Sequence, residues 1–183
     1  LQRTVIDWTV LDGAETVHAF TGILEKAQID TGPWTSISAA IQYIVPMFSK
    51  NEYHGTRRVI DISGDGPNNS GAPIMEARAL ALAAGITING LPIVNDRMGP
   101  GNTRNIRDLD KYYRDCVIGG AGAFMIVANN FADFSLAIQR KLIFEIAGLF
   151  PPQSEASAIV PVQASDVSYC LIGERQFRGG GQY

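Results

Sequence analysis

An α/β sandwich around a mostly parallel sheet is the fold class this sequence predicts, and three observations predict it. Short β-branched or apolar runs alternate with amphipathic stretches at helical spacing. Turns rich in Gly, Pro, Asn and Asp separate the two kinds of segment. The resulting order, β, α, α, β, α, β, short α, β, α, places helices between strands, which favours parallel pairing. With 183 residues, 46% of them hydrophobic and 18% charged, the chain has enough apolar surface for a self-sufficient core.

Thr4 to Val10 is short, β-branched and aromatic and reads as a strand, broken by Asp12-Gly13. Asp12 and Glu15 have the spacing of a capping box, and Val17, Phe20, Leu24 and Ala27 share one face of a helix over 14–27. Thr31-Gly32-Pro33 is a turn. A second helix runs from Ser36 to Phe48 with Ile37, Ala40, Ile41, Ile44 and Phe48 inward, and Pro46 distorts its last turn. Arg57 to Ser63 reads as a buried strand, followed by eight turn-forming residues from Gly64 to Gly71. A helix from Pro73 to Ala84 ends at Gly85, and Ile86 to Val94 is the next strand. After a polar loop over 95–105, Asp108 to Cys116 is helical or irregular and Ala123 to Ala128 is a strand. In the last helix Asn130 caps, and Phe131, Phe134, Ile138, Leu142 and Ile146 line one face until Gly148 and Pro151-Pro152 end it.

Fifteen basic and 18 acidic residues give a net charge of −3, with no basic stripe for a phosphate backbone, so nucleic acid is not an expected partner. No apolar run is long enough for a membrane span. The chain opens on Leu1 without a signal-peptide pattern, which leads to the expectation of a processed or partial chain. Cys116 and Cys170 do not form a metal-ligand spacing, and on count alone two buried thiols and a disulfide are both open.

In a sheet of this kind functional groups collect at the carboxyl ends of the strands. Asp65 stands there, just past a buried strand, where a carboxylate can bind a hard cation or hydrogen-bond its own turn. Asp61, Ser63 and Asp65 alternate along the strand, so a D-x-S-x-D cation site and an Asp61 hydrogen-bonded to neighbouring loops are both readings of that face. His18 and His54 fall at polar positions. No G-x-S-x-G elbow exists, and Gly120-Ala121-Gly122 precedes a strand instead of following one, so neither a serine hydrolase nor a dinucleotide site is indicated.

Ser63-Gly64-Asp65-Gly66-Pro67-Asn68-Asn69 is similar to the late metal motif of haloacid-dehalogenase-like phosphatases. That family needs an upstream D-x-D-x-T nucleophile, whereas this chain offers Asp7-Trp8-Thr9, and Asn69 stands where a second carboxylate belongs. More of the chain resembles the von Willebrand factor A (vWA) domain, and within it a family of exported proteobacterial vWA-like proteins of uncharacterised function. Trp8 to Asp12, Gly32 to Ile37, Arg57 to Gly66, Gly85 to Ile93, Tyr112 to Gly120 and Gly122 to Phe124 carry the resemblance, in order, across most of residues 4 to 148.

The resemblance implies a three-layer, Rossmann-like vWA sandwich lacking its first two strands over 1–148, with 149–183 a tail. It implies a metal-ion-dependent adhesion site in which Thr35 and Asp65 are ligands of a divalent cation, Mg²⁺ or Ca²⁺, left incomplete because D-x-S-x-S is absent. Trp34, Asn68 and Asn69 are then the residues a partner touches, although Trp34 also reads as a core residue under its turn. The missing strands imply a protein partner or another chain that supplies them. Export implies a periplasmic or secreted location, and there a Cys116–Cys170 bridge is expected to dock the tail. The function expected is a non-enzymatic protein-binding or assembly module. The alternatives are a metal-dependent, phosphatase-like hydrolase using Asp65 and a structural subunit with a degenerate metal site.

Overall fold

A computed structural model describes residues 2–28, 34–94, 106, 108–147 and 167–178. The turn at Thr31-Gly32-Pro33, the loop over 95–105, the helix stop at Gly148 and the 148/149 boundary lie outside the described residues. The chain is a mixed α/β structure. In order, it runs α1 (Ala14–Glu25), α2 (Ile37–Ile44), a 3₁₀ turn (Val45–Ser49), β1 (Val59–Gly64), α3 (Ile74–Ala83) and β2 (Thr87–Pro92). There follow α4 (Leu109–Tyr112), a π turn (Tyr113–Val117), α5 (Phe134–Ala147), α6 (Val167–Cys170) and α7 (Ile172–Arg178).

β1 and β2 pair in parallel, with Asp61 opposite Asn89 and Ser63 opposite Leu91. The far edge of β2 holds an extended segment: Gly90 N donates to Phe124 O at 3.1 Å and Val94 N to Ala128 O at 2.7 Å, with parallel bridges at Met125 and Ala128. The expected 123–128 strand is therefore present as isolated bridges. Arg58 O and Gly64 O accept from Thr87 N and Ile93 N at 2.9 Å, so the even positions of β1 face β2. Val59, Asp61 and Ser63 turn their backbone groups to the other edge, which no strand among the described residues pairs.

Alternation along the strands assigns two faces. Ile60, Ile62, Ile88 and Met125 pack with Ile37 and Ile41 of α2, Ile74 and Ala77 of α3, and Tyr112, Tyr113 and Val117. Leu91, Ile93, Ile126 and Ala128 pack against Phe134, Ala137 and Ile138 of α5. Gly90 makes this close packing possible, since a Cβ there would stand 2.8 Å from Ile118 Cγ2 and 3.0 Å from Tyr113 Cδ1. Gly85, at φ +70°, ends α3 in the left-handed region that glycine tolerates.

Four expectations are corrected. Thr4 to Val10 forms no strand; it is irregular and largely exposed, with Trp8 edge-on to Phe48 at 5.1 Å, and no strand among the described residues pairs with it. α1 forms, but none of its residues is buried, and its start is organised by Thr16, whose hydroxyl accepts from Asp12 N and Gly13 N at 3.1 and 3.2 Å, instead of by an Asp12–Glu15 box. The second helix ends at Ile44 and tightens into the 3₁₀ turn, where Pro46 cannot donate to the α ladder. In α5 the buried positions are Ala137 and Lys141, whereas Leu142 and Ile146 are exposed, Ile146 at 84%. The helix is rotated so that Lys141 faces the sheet.

Candidate functional site

The carboxyl end of β1 meets the segment that leads into α2, and reciprocal hydrogen bonds lace the two together. Thr35 N donates to Asn69 Oδ1 at 2.7 Å, and Asn69 N donates to Thr35 O at 2.9 Å. Ser36 caps α2 by accepting from Ala39 N at 3.3 Å, and its hydroxyl donates to Ser70 O at 2.8 Å. Gly71, at φ +89°, completes the turn, since a Cβ there would come within 2.7 Å of Ser36 Oγ. Thr35 Oγ1 lies 3.9 Å from where a Cβ of Gly66 would be, which brings the hydroxyl to the Asp65-Gly66 turn. Thr35 is half-buried, Asp65 exposed and Trp34 60% exposed, so these three share one crest open to solvent.

Asn68 and Asn69 serve the crest from inside. Asn68 is 0% exposed. Its Oδ1 accepts from Ser38 N at 2.9 Å, its Nδ2 donates to Ala72 O at 3.1 Å and Glu174 Oε1 at 2.7 Å, and its backbone N donates to Tyr112 Oη at 3.2 Å. Below the loop, the Tyr113 hydroxyl is buried with no hydrogen-bond partner among the described residues and lies close to Gly64, where a Cβ would be 2.8 Å away. Burial, with a smaller push from the Asp65 carboxylate, holds the Tyr113 phenol well above its ordinary range. Burial does the same for Tyr112, against the opposing pull of the hydrogen bond from Asn68 N.

Glu174 arrives from the C-terminal segment. Cys116 and Cys170 are joined by a disulfide across 54 positions, with Cα atoms 5.4 Å apart, which fixes α6 beside the π turn. Tyr169 packs edge-on to Tyr112 at 6.4 Å, and Gly173 lies so close to the carbonyl of Asn68 that a side chain there would overlap it. Sequence reasoning missed Glu174 because nothing near it in the chain marks it; the apolar run around Cys170 was the available signal.

A second polar cluster lies on the α5 face of the sheet. Lys141, 4% exposed, donates to Asp61 and, at 2.5 Å, to Glu145 Oε1, which also accepts from Asn89 Nδ2 at 2.7 Å. Asn89 Oδ1 accepts from Phe124 N at 3.1 Å, so the cluster ties α5 to β1, β2 and the 124–128 segment. Burial lowers the affinity of Lys141 for its proton, and the hydrogen bond and charge of Glu145 oppose that shift. Asp61 of the D-x-S-x-D pattern thus already faces an ammonium group. The i, i+4 pairing of Lys141 with Glu145 was the sequence signal for this cluster.

Among the described residues, no group of three or more His, Cys, Asp or Glu side chains could hold a metal ion, and no helix is long and apolar enough to cross a membrane. No match is found among curated proteins or among solved structures. A family match spans residues 1–150, from the N-terminal segment through the crest and the sheet to the end of α5. The chain accordingly belongs to the protein family of unknown function DUF1194.

Proposed function

We propose that the chain is a non-enzymatic protein-binding or assembly module of vWA type, which presents the crest around Thr35, Asp65 and Trp34 to a protein partner. The observation that carries this reading is the reciprocal Thr35–Asn69 pairing, which holds a hydroxyl against the Asp65-Gly66 turn at the carboxyl end of a parallel strand. Helices packed on both faces of the sheet support a three-layer sandwich. The open edge of β1 supports strands contributed from outside the described residues, by a partner or another chain. The disulfide supports an oxidising compartment, periplasmic or extracellular.

Thr35 and Asp65 fit a hard divalent cation in part. They offer a neutral and an anionic oxygen from adjacent loops, and Mg²⁺ wants six. Water and a partner's carboxylate would complete the shell, so the chain alone should bind the ion weakly and the partner should strengthen it. Manganese titration of the full chain tests this by NMR. Paramagnetic broadening should begin at the amides of Thr35, Asp65 and Gly66 and disappear in Asp65→Ala. Broadening that starts elsewhere, or survives that substitution, would refute the crest assignment. Phosphoester turnover abolished by Asp65→Asn would replace it with a hydrolase.

A further inference from the structure

The crest loop is covered from within its own chain. Gly66, Pro67 and Asn68 are buried, and α6–α7 lies against Asn68 through Gly173 and Glu174. Among the described residues, the polar contacts of this segment run to the crest loop and to the 108–116 stretch beside it, while Cys170 enters the apolar core and Tyr169 and Ile172 pack against it. Glu174 reaches Asn68, Tyr169 packs edge-on to Tyr112 and donates to Asp108 O at 3.3 Å, Lys111 lies 5.3 Å over the Tyr169 ring, and Cys170 is bonded to Cys116.

The chemistry of the contact is that of a ligand in a subsite. Asn68 has two amide hydrogens; one is used by Ala72 O within its own loop and the other by the Glu174 carboxylate. Remove Glu174, and one N–H donor on the crest points to an empty place sized for a carboxylate oxygen. The fit of Glu174 is imperfect, because its second oxygen is buried with no hydrogen-bond partner among the described residues. A buried oxygen without a partner weakens the contact. The disulfide keeps Glu174 at high effective concentration beside Asn68, so a side chain that leaves the contact stays within reach of it.

We infer that α6–α7 is a built-in competitor, and that Asn68 with its loop forms a subsite for an acidic side chain of a protein partner, which Glu174 fills until the partner displaces it. The identity of the competing ligand rests on the binding role proposed above; the covering itself does not.

Hydrogen exchange on the oxidised full chain tests the inference without metal or partner. Gly173→Leu cannot sit against the Asn68 carbonyl and should raise exchange at 66–72 by about tenfold or more, while β1 and β2 keep their protection. A synthetic peptide of residues 167–178, with Cys170 replaced by Ser, should restore protection when added to that variant. The same peptide with Glu174→Gln should need several-fold higher concentration. Glu174→Gln in the full chain gives a second reading that keeps the glycine, with a smaller rise confined to 66–72. Unchanged exchange in both variants would overturn the inference, as would loss of β1–β2 protection together with the crest, which would make the Glu174 contact a requirement of the sheet and not a displaceable cover. Failure of the manganese experiment with success here would remove the cation-assisted crest and leave the cover standing.

Discussion

Lys141 carries its ammonium from α5 to the carboxylate of Asp61 on β1, and the two ends of that contact live in different surroundings. Lys141 is buried, whereas the Asp61 side chain is 43% exposed. Removing one partner of a buried pair is costly when the other is left buried and charged. Here the asymmetry decides which substitution hurts.

Glu145→Ala should destabilise the chain by about 2–4 kcal/mol, because it strips the buried ammonium of its best-placed acceptor and leaves Asn89 Nδ2 without one. Lys141→Met should cost less, about 1–2 kcal/mol, since it removes the buried charge, keeps the stem, leaves Asp61 to water and leaves the 14% exposed Glu145 with Asn89 Nδ2 as a donor. Urea unfolding of both variants measures the difference. A more severe loss for Lys141→Met than for Glu145→Ala would show that the ion pair to Asp61 dominates.

Alkaline pH should unfold the chain through its buried phenols. Tyr112 and Tyr113 are both 0% exposed, and burial raises both in the folded state. A raised folded value means that the folded state holds its protons longer than the unfolded state. The stability this supplies is complete below about pH 10, where unfolded tyrosine ionises, and is lost as pH rises beyond it. With two such groups the slope should reach about 2.7 kcal/mol per pH unit. Tyrosinate absorbance and circular dichroism should change together, and Tyr113→Phe should halve the slope. Ionisation well before unfolding would show that the phenols reach water in the folded state.

Loss of the disulfide should cost about 4 kcal/mol in the loop-entropy model for a ring of this length. The paired substitution Cys116→Ala with Cys170→Ala avoids leaving a free thiol in the core, where both residues are buried. Thermal unfolding should shift down, and limited proteolysis should begin within α6–α7. A midpoint equal to that of the parent would mean that α6–α7 packing alone holds the segment.

Gly90→Ala should destabilise by about 1–3 kcal/mol, since the added methyl meets Ile118 and Tyr113 inside contact distance. Gly13→Ala, with nothing within 4 Å of the added methyl, is the control and should cost only about 0.5 kcal/mol, the preference of the α1 N-cap for glycine over alanine. Equal effects at the two sites would mean that the core has room the packing does not show.

α3 and β2 were legible in the sequence because local pattern and final burial agree: Ile74, Ile86 and Ile88 stand at the expected positions and are buried, whereas β1 is a strand as expected but buries Ile60 alone and exposes Asp61 and Ser63. The pairing of Thr35 with Asp65 came from the family resemblance, because the 34 positions between Thr35 and Asn69 leave no local pattern that joins the two loops. The stripe of α5 was misread because apolar spacing favours Leu142 and Ile146, whereas the helix turns a lysine inward to meet Asp61, a contact 80 residues away that no local count contains. Thr4 to Val10 has strand composition, but β-propensity expresses only where a neighbouring strand exists. Asn68 reads as an exposed loop residue until Glu174, 106 positions later, is laid against it.

The bridge between Cys116 and Cys170 closes a covalent ring that contains the 124–128 segment and all of α5. Any single peptide bond cut between residues 117 and 169 therefore opens the ring without dividing the molecule. α5 would still be attached to the sheet by Lys141 and Glu145, and the two pieces would still migrate as one species until a reductant separates them. In a compartment that contains proteases, a nick inside this ring leaves the molecule whole, whereas a cut between β1 and α4 relies on packing alone to keep the halves together.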